Sequence, residues 1–552
     1  MTENGKEKYK DSSREDLLKI IEKLEARKKY GLIWDEEKVK EQFEKDAENA
    51  LPILKEINGK EIEINTSDPI NILIEGDNYH ALSVLNFTHQ GKVDVIYIDP
   101  PYNTGNKDFK YNDSYVDRED TYRHSKWLSF MNKRLRLSKN LLTEGGIIFI
   151  SIDDNEFAQL RLLCNEIFGE ENFVGTITWE KRTKAQNTET AREMLQSKTE
   201  YILVYKNELD KAKFKLEVVG EKIYDLQDKK GLYRLKLVEE MSAIGMRGRQ
   251  TMIYSIEGIS PRDGYQWKIG KDQIERYKSR NDIELVNGKV YLRIRPEDET
   301  SQKFLPFWSH FFNKETSGTS EKGKAELTEI LGSNGHEFET VKPVNLIKKL
   351  LFHINKNKDE IILDFFAGSG TTAQAVLDLN KNDGGNRKFI LCTNNENNIC
   401  EEITYERVKR AIKGYKNSKN EKIEGLGGNL KYFKTSFVKK TINKDDMKIK
   451  LTRECTEMLC IREGIFDEKK KTEDYAIFEQ NDRIMAVYYS IERKALKDLK
   501  KELDKIKGKK VLYCFTLDPL GLDKSDFTGW KDTQLEPIPQ KILDVYEEIY
   551  EY

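Results

Sequence analysis

The chain has 552 residues, 38% hydrophobic and 34% charged, enough for several packed cores beneath a heavily charged surface. Its 94 basic and 96 acidic side chains leave a net charge of −2, so any footprint for a polyanion must be a local segregation of charge. The six cysteines (Cys164, Cys392, Cys400, Cys455, Cys460 and Cys514) form no Cys-x-x-Cys pair, and no apolar run nears the ~20 residues a bilayer requires, so a reduced, soluble, cytoplasmic protein without a signal peptide is expected.

Residues 1–11 are polar and read as disordered. Ser12-Ser13-Arg14-Glu15 is a capping box, and Leu17, Ile20, Ile21 and Leu24 follow at helical spacing. A second charged helix is expected from Asp35 to Leu54, which makes residues 1–60 a helical segment. Residues 61–173 begin an α/β core. Ile72-Leu73-Ile74 is a strand ending in Glu75-Gly76-Asp77-Asn78, Tyr79 to Phe87 a helix, and the apolar run Val93–Ile98 a buried strand. Trp127–Leu142 reads as an amphipathic helix, Gly146–Ile152 as another strand and Glu156–Phe168 as another helix. Strands separated by helices imply a parallel sheet covered on both faces. The sheet resumes in residues 336–438, at Ile361 and at Lys388–Cys392, so one sheet is assembled from two distant stretches.

Residues 174–335 are then an insertion of α+β texture, with β-type runs at Tyr201–Tyr205 and Val290–Ile294. Its basic residues Arg247, Arg249, Arg262, Lys268, Arg293 and Arg295 are interleaved with Tyr254, Tyr265, Trp267 and Tyr291. That mixture suits a surface that grips phosphate and reads base edges, and equally an ordinary solvated β face. Residues 439–552 read as a small, separate α/β domain with strands at 475–478, 484–489 and 511–515. The stripe Leu496, Leu499, Leu503, Ile506 is too short for a coiled coil and reads as core.

Two segments carry chemistry. Asp99-Pro100-Pro101-Tyr102 leaves the Val93–Ile98 strand with a carboxylate, rigid outward carbonyls and an aromatic ring. Two acceptors and one stacking face suit a planar exocyclic amine, whose lone pair is conjugated into its ring until its hydrogens are drawn out of plane. Ile361–Thr372 runs strand, glycine-rich turn (Asp364-Phe365-Phe366-Ala367-Gly368-Ser369-Gly370) and helix start. Glycines there admit a ligand close to the backbone, and no lysine follows them as in a phosphate-binding Walker loop.

Together these segments resemble the amino-methyltransferases of DNA, in which Asp-Pro-Pro-Tyr is the catalytic motif and Phe-x-Gly-x-Gly binds S-adenosylmethionine. The catalytic motif comes first here and the cofactor motif about 260 residues later, the permuted order of the β-class. The string Ile96–Gly105, with Ile150–Glu156, Ile167–Phe173, Thr340–Pro343 and Thr393–Glu396, is similar to the modification (Mod) subunits of Type III restriction-modification systems. The resemblance implies a Rossmann-like methyltransferase fold, a target recognition domain in the insertion, and a C-terminal domain used in subunit contacts. It further implies dimers that methylate one strand of a short asymmetric site in double-stranded DNA, with cleavage left to a separate helicase-nuclease restriction subunit.

Carried over residue by residue, Asp99 and the Pro100 carbonyl accept the two hydrogens of a flipped-out adenine amine, Tyr102 stacks on the base and Pro101 sets the turn. Phe366, Gly368 and Gly370 shape the cofactor turn, Asp364 orients it, and Thr371 and Thr372 cap the helix. Glu396 is the candidate for the ribose hydroxyls, Asp77 for the adenine, and Lys342 with Pro343 for the methionine end. Arg247, Arg249, Arg262, Trp267, Lys268, Arg293 and Arg295 are the candidate DNA contacts. No metal is expected, and the six histidines are scattered. The loop Asn103–Asp120 is long enough to close over a flipped base. Open alternatives are a solitary adenine methyltransferase, a cytosine-N4 enzyme (against which Asp, rather than Ser, opens the motif), an RNA or protein methylase, and a silent DNA-binding module.

Overall fold

The computed structural model describes residues 13–14, 31–35 and 50–550, apart from 67, 106–107, 112–113, 185–194, 212, 219–223, 246–247, 300–303, 333–335, 337, 339, 355–356, 418, 442, 519–520 and 531. It forms two compact units, Met1–Phe214 with Trp308–Tyr552, and Lys215–Phe307.

The larger unit is built on a ten-stranded sheet. In chain order the strands are β1 (Ala50–Glu56), β2 (Ile70–Glu75), β3 (Val93–Ile98), β4 (Leu142–Ile152), β5 (Phe173–Glu180), β6 (Thr199–Lys206), β7 (His310–Phe311), β8 (Ile361–Asp364), β9 (Lys388–Thr393) and β10 (Asn429–Lys439). Their order across the sheet is β1-β10-β2-β9-β8-β3-β4-β6-β5-β7. The six strands from β10 to β4 are mutually parallel. The inner ones, such as β3 and β8, read as apolar runs because both faces are covered. The covering helices are α1 (Asn78–Thr88), α2 (Arg123–Leu141), α3 (Phe157–Phe168), α4 (Ser320–Leu331), α5 (Val344–Phe352), α6 (Thr371–Asp383) and α7 (Glu406–Lys413).

The chain leaves β3 through α2 to β4 on one side, and leaves β8 through α6 to β9 on the other. The strand order therefore reverses between β3 and β8, which pair directly with Leu363 opposite Ile96. At such a switch point the two connections diverge and open a crevice beyond the carboxyl ends of the strands.

Two expectations are corrected here. Of the expected helix from Asp35 to Leu54, residues 36–49 lie outside the described residues, and its end is corrected: residues from Ala50 form β1, antiparallel to β10, with Leu51, Ile53 and Leu54 buried. Pro52 is the reason, since it breaks a helix interior but is tolerated on an edge strand. The helix expected from Ser12 lies outside the described residues, Ser13 and Arg14 excepted. The Tyr201–Tyr205 run belongs to the main sheet as β6, inserted antiparallel between β4 and β5.

The C-terminal segment does not stand apart. Its five-stranded sheet is β11 (Asp467–Lys471), β12 (Tyr475–Gln480), β13 (Arg483–Tyr488), β14 (Lys509–Phe515) and β15 (Thr533–Ile538). Period-two alternation splits its side chains between two cores. Ala476, Phe478, Met485 and Val487 pack into one core with Leu51 and Ile53 of the ten-stranded sheet and Leu85 of α1. Tyr475, Ile477, Ile484 and Ala486 face Leu496, Leu499 and Leu503 of the helix Leu496–Asp504. Lys55 of β1 bridges to Glu454 and Glu457, and the Tyr546 hydroxyl donates to the Pro52 carbonyl.

The smaller unit carries a four-stranded antiparallel sheet of Leu226–Asp228, Gly231–Leu237, Ile283–Val286 and Lys289–Ile294. Its core gathers Val238, Ile256, Trp267, Ile274, Val290, Leu292 and Ile294.

Candidate active site

The carboxyl ends of β2, β9, β8, β3 and β4 lie along one edge of the sheet and deliver the expected residues to it. Asp99 and Tyr102 follow β3; Asp364 ends β8 and starts the glycine turn; Glu396 follows β9; Asp77 follows β2.

The glycine turn is held from inside. Buried Asp364 accepts from the Phe366 amide at 3.0 Å and from the Thr372 hydroxyl at 2.6 Å. Burial pushes its carboxyl up to about 7. Gly370 sits in the left-handed region at φ 77°, and a β-carbon there would lie 3.4 Å from the Thr404 methyl. At Gly368, φ 47°, a β-carbon would lie 3.8 Å from the Phe366 carbonyl oxygen and 3.9 Å from the Phe338 ring, ordinary contact distances, so the left-handed backbone is what asks for glycine. Thr404 donates to the Gly368 carbonyl, and fully buried Arg407 donates to the Ser369 carbonyl at 3.2 Å and the Thr371 hydroxyl at 2.8 Å. Desolvation lowers the Arg407 guanidinium to about 10.

Asp77 caps α1 through the Tyr79 amide at 2.7 Å and receives Arg134 at 3.3 Å, while its carboxylate stays nearly half exposed. Asn78 donates to the Phe365 carbonyl at 2.9 Å, tying the two strand ends together. Glu396 receives Lys110 from the short hairpin Lys110–Tyr111/Ser114–Tyr115. That hairpin is anchored rather than loose: Phe109, Tyr111 and Val116 are buried. The Phe109 ring meets Phe130 at 5.2 Å, and Phe130 meets Phe366 of the glycine turn at 5.9 Å.

The catalytic-type turn is equally constrained. The Trp127 indole donates to the Pro101 carbonyl at 2.7 Å, which commits that acceptor. Tyr102 donates from its hydroxyl to Asp99 Oδ1 at 2.8 Å. Burial, then the charges of Asp99 and Glu200, hold its hydroxyl well above the ordinary phenol value. Lys342 comes to this carboxylate and not to the glycine turn: its Nζ donates to Asp99 Oδ1 at 2.8 Å and Oδ2 at 2.9 Å. Only its backbone carbonyl touches the glycine side, accepting from Thr371 at 3.1 Å. Gly323 of α4 permits this placement, because a β-carbon there would meet the Val341 carbonyl oxygen at 2.1 Å. Asn103, at φ 57°, closes the turn by donating to buried Glu156 at 2.6 Å.

A family model described as "DNA methylase" matches residues 93–409, over half of the chain and both turns. The chain belongs to this DNA methylase family. It is 34% identical over 400 residues to the Type III restriction-modification enzyme StyLTI Mod subunit of Salmonella typhimurium, covering 62% of this chain and 56% of that protein. It is 33% identical to the EcoPI Mod subunit of Escherichia phage P1, covering 59% and 58%. It is also 33% identical to the Type II methyltransferase M.KpnI of Klebsiella pneumoniae, covering 63% of this chain and 85% of that one. The chain thus spans little more than half the length of the curated Type III relatives it matches.

In the methylase, the expected DNA contacts of the smaller unit divide. Arg249 is exposed, Arg262 is exposed while paired with Glu240, and Lys268 pairs with Glu239 at the surface. Arg293 is half-buried between Glu284 and Asp228. Trp267 and Arg295 are corrected. Trp267 is a core ring whose indole donates to the Tyr254 carbonyl at 2.8 Å. Arg295 is buried and spends both terminal nitrogens on Asp228 and Asp282, so neither side chain reaches a ligand surface. Arg247 lies outside the described residues.

Sequence reading missed Glu200, Lys181, Glu156, Thr404 and Arg407. Glu156 ends the Ile150–Glu156 string already noted. The other four stand in no motif and acquire their partners only through the sheet order and helix packing.

Proposed function

We propose that this methylase transfers a methyl group from S-adenosylmethionine to N6 of an adenine flipped out of double-stranded DNA, as the modification and specificity subunit of a Type III restriction-modification system. The observation that carries the reading is the juxtaposition, on adjacent parallel strands, of the Asp99–Tyr102 turn and the Phe366–Gly370 turn. An amine donor and a methyl source bound at the two turns would meet across one crevice.

The residues at the glycine turn fit such a cofactor. The left-handed backbone at Gly368 and Gly370 suits a turn that meets a ligand closely, and the Asp77 and Glu396 carboxylates follow the neighbouring strands as acceptors for amine or hydroxyl hydrogens. When bound, a sulfonium supplies an activated methyl group. The chain's own part is to hold the amine: Asp99 takes one hydrogen and the Pro100 carbonyl the other, so that placement and polarisation supply the rate. Tyr102 offers its ring to the extruded base.

On this reading the unit Lys215–Phe307, within the expected 174–335 insertion, reads the target sequence, with Arg249, Arg262 and Lys268 as its exposed cations. The order catalytic turn, insertion, cofactor turn is that of the β-class. The working form is a cytoplasmic homodimer, with a helicase-nuclease partner for cleavage. A second reading has its own support: the Type II relative is covered over 85% of its length, so the chain would also suffice as a methyltransferase without a restriction partner.

Single-molecule sequencing of DNA from cells expressing the chain tests this. N6-methyladenine on one strand of one asymmetric motif, absent with Asp99→Ala while cofactor binding persists, is the expected outcome. N4-methylcytosine, or no mark at all, refutes it.

A further inference from the structure

One ammonium joins the catalytic turn to a strand remote in sequence. Besides both Asp99 oxygens, Lys342 Nζ donates to the Tyr102 hydroxyl at 2.8 Å and lies 3.2 Å from Glu200 Oε2. Glu200, on β6, is 7% exposed, and its other oxygen takes Lys181 at 2.9 Å. Its Oε2 also accepts from the Tyr102 hydroxyl at 3.2 Å. Two acids and two lysines cancel, so the cluster is neutral although largely buried. A charge so far from water persists only when paired and hydrogen-bonded in this way.

An ionised carboxylate offers about four acceptor positions. On Asp99, Oδ1 receives both Lys342 and Tyr102, whereas Oδ2 receives Lys342 alone among the described residues. One position is left, on Oδ2.

We propose that Lys342 and Glu200 are positioning residues of the methylation reaction: Glu200 steadies the Lys342 ammonium, and Lys342 holds Asp99 turned so that the remaining Oδ2 position receives the target amine. The assignment rests on the adenine-methylation reading above. Neither residue touches the base.

The titratable neighbours make the consequence specific. Tyr97 of β3, Tyr102 of the turn, Asp153 after β4, Glu200 of β6 and Asp364 of β8 face this cluster, and Lys181 is its other cation. All but the lysines are acids. Burial works against both partners, yet Lys342 and Lys181 keep the Glu200 carboxyl below its usual range, and Asp99 and Glu200 keep the Lys342 ammonium above its own. Removing Lys342 strips Asp99 of both its ammonium hydrogen bonds and leaves Lys181 alone to offset the two acids of the cluster.

The test is the single-turnover methylation rate against pH, with tritiated S-adenosylmethionine and a duplex carrying the mapped site. In Lys342→Met the acid limb moves up by about one pH unit. The rate falls by up to about tenfold more at pH 6 than at pH 8.5, with cofactor affinity retained. Glu200→Gln/Lys342→Met, which removes the orphaned acid as well, recovers part of the loss at pH 6. Lys342→Arg keeps the charge, so it slows the reaction without moving the limb; it also serves should the methionine variant fail to fold. Equal loss at every pH, a double variant no better than the single, or a shifted limb in Lys342→Arg overturns the assignment. A wild-type chain that methylates no DNA overturns the functional reading and this assignment together.

Discussion

Glu156→Gln should flatten the dependence of stability on pH between about 5 and 8. Glu156 is fully buried; its Oε1 accepts from Asn103 at 2.6 Å and lies 2.7 Å from His124 Nδ1, while its Oε2 has no partner among the described residues. Burial, opposed in part by the Asn103 hydrogen bond and the Arg123 charge, raises its carboxyl from 4.5 to about 8. The folded chain therefore binds a proton that the unfolded chain releases, and stability falls as pH rises through this window. At about 1.36 kcal/mol per pH unit, ionising this group costs the fold about 5 kcal/mol between the two values. That is a large share of the ~5–15 kcal/mol a domain commands. Glutamine keeps the Oε1 acceptor for Asn103 and supplies a neutral group in place of the protonated one. Asp364, raised by burial from 3.8 to about 7, contributes a slope of the same sign in wild type and variant alike, so the difference between them isolates Glu156. Thermal or urea melts at pH 5.5, 7 and 8.5 provide the measurement. Curves that stay parallel for the two proteins would show that Glu156 is ionised in the fold at neutral pH and would refute the argument.

Gly370→Ala should cost about 1–2 kcal/mol, because an L residue must hold φ 77° against Thr404; it should also weaken cofactor binding by calorimetry, and unchanged affinity counts against the turn's role. Arg295→Met should destabilise the smaller unit by about 1–3 kcal/mol, because Asp228 and Asp282 lose their shared guanidinium and keep Arg293 and Arg280. Its effect on DNA binding should track the folded fraction, so a fully folded variant with lost affinity would restore Arg295 to the interface. Arg262→Ala, at a site largely exposed and only surface-paired, should weaken DNA binding alike across sequences and lower the salt slope by about 1. A change confined to one base position would instead make it a base reader.

The two turns were legible because each packs a backbone requirement and a chemical group into fewer than ten residues. Proline after Asp99 and glycine at 368 and 370 dictate φ locally, and apolar runs on either side set the strands. Pro52 carried a further local signal, sufficient to end the expected N-terminal helix, since a helix from Asp35 to Leu54 would have had to carry it near its end. What lay beyond reading was pairing. Arg262 and Arg295 stand in the same basic-aromatic texture, yet one faces solvent and the other is locked between Asp228 and Asp282, carboxylates 67 and 13 residues away. No periodicity separates them, because the strand face and the partner that neutralise an arginine are fixed only by sheet register. Glu200 makes the same point at the active site. In sequence it is one acid at the head of an ordinary β-type run, 98 residues from Tyr102 and 142 from Lys342. Only the insertion of β6 antiparallel beside β4 returns that acid to the edge where Asp99 emerges. On the proposed reading the motif names the group that meets the amine, and a strand with no motif supplies the acid that steadies that group's lysine.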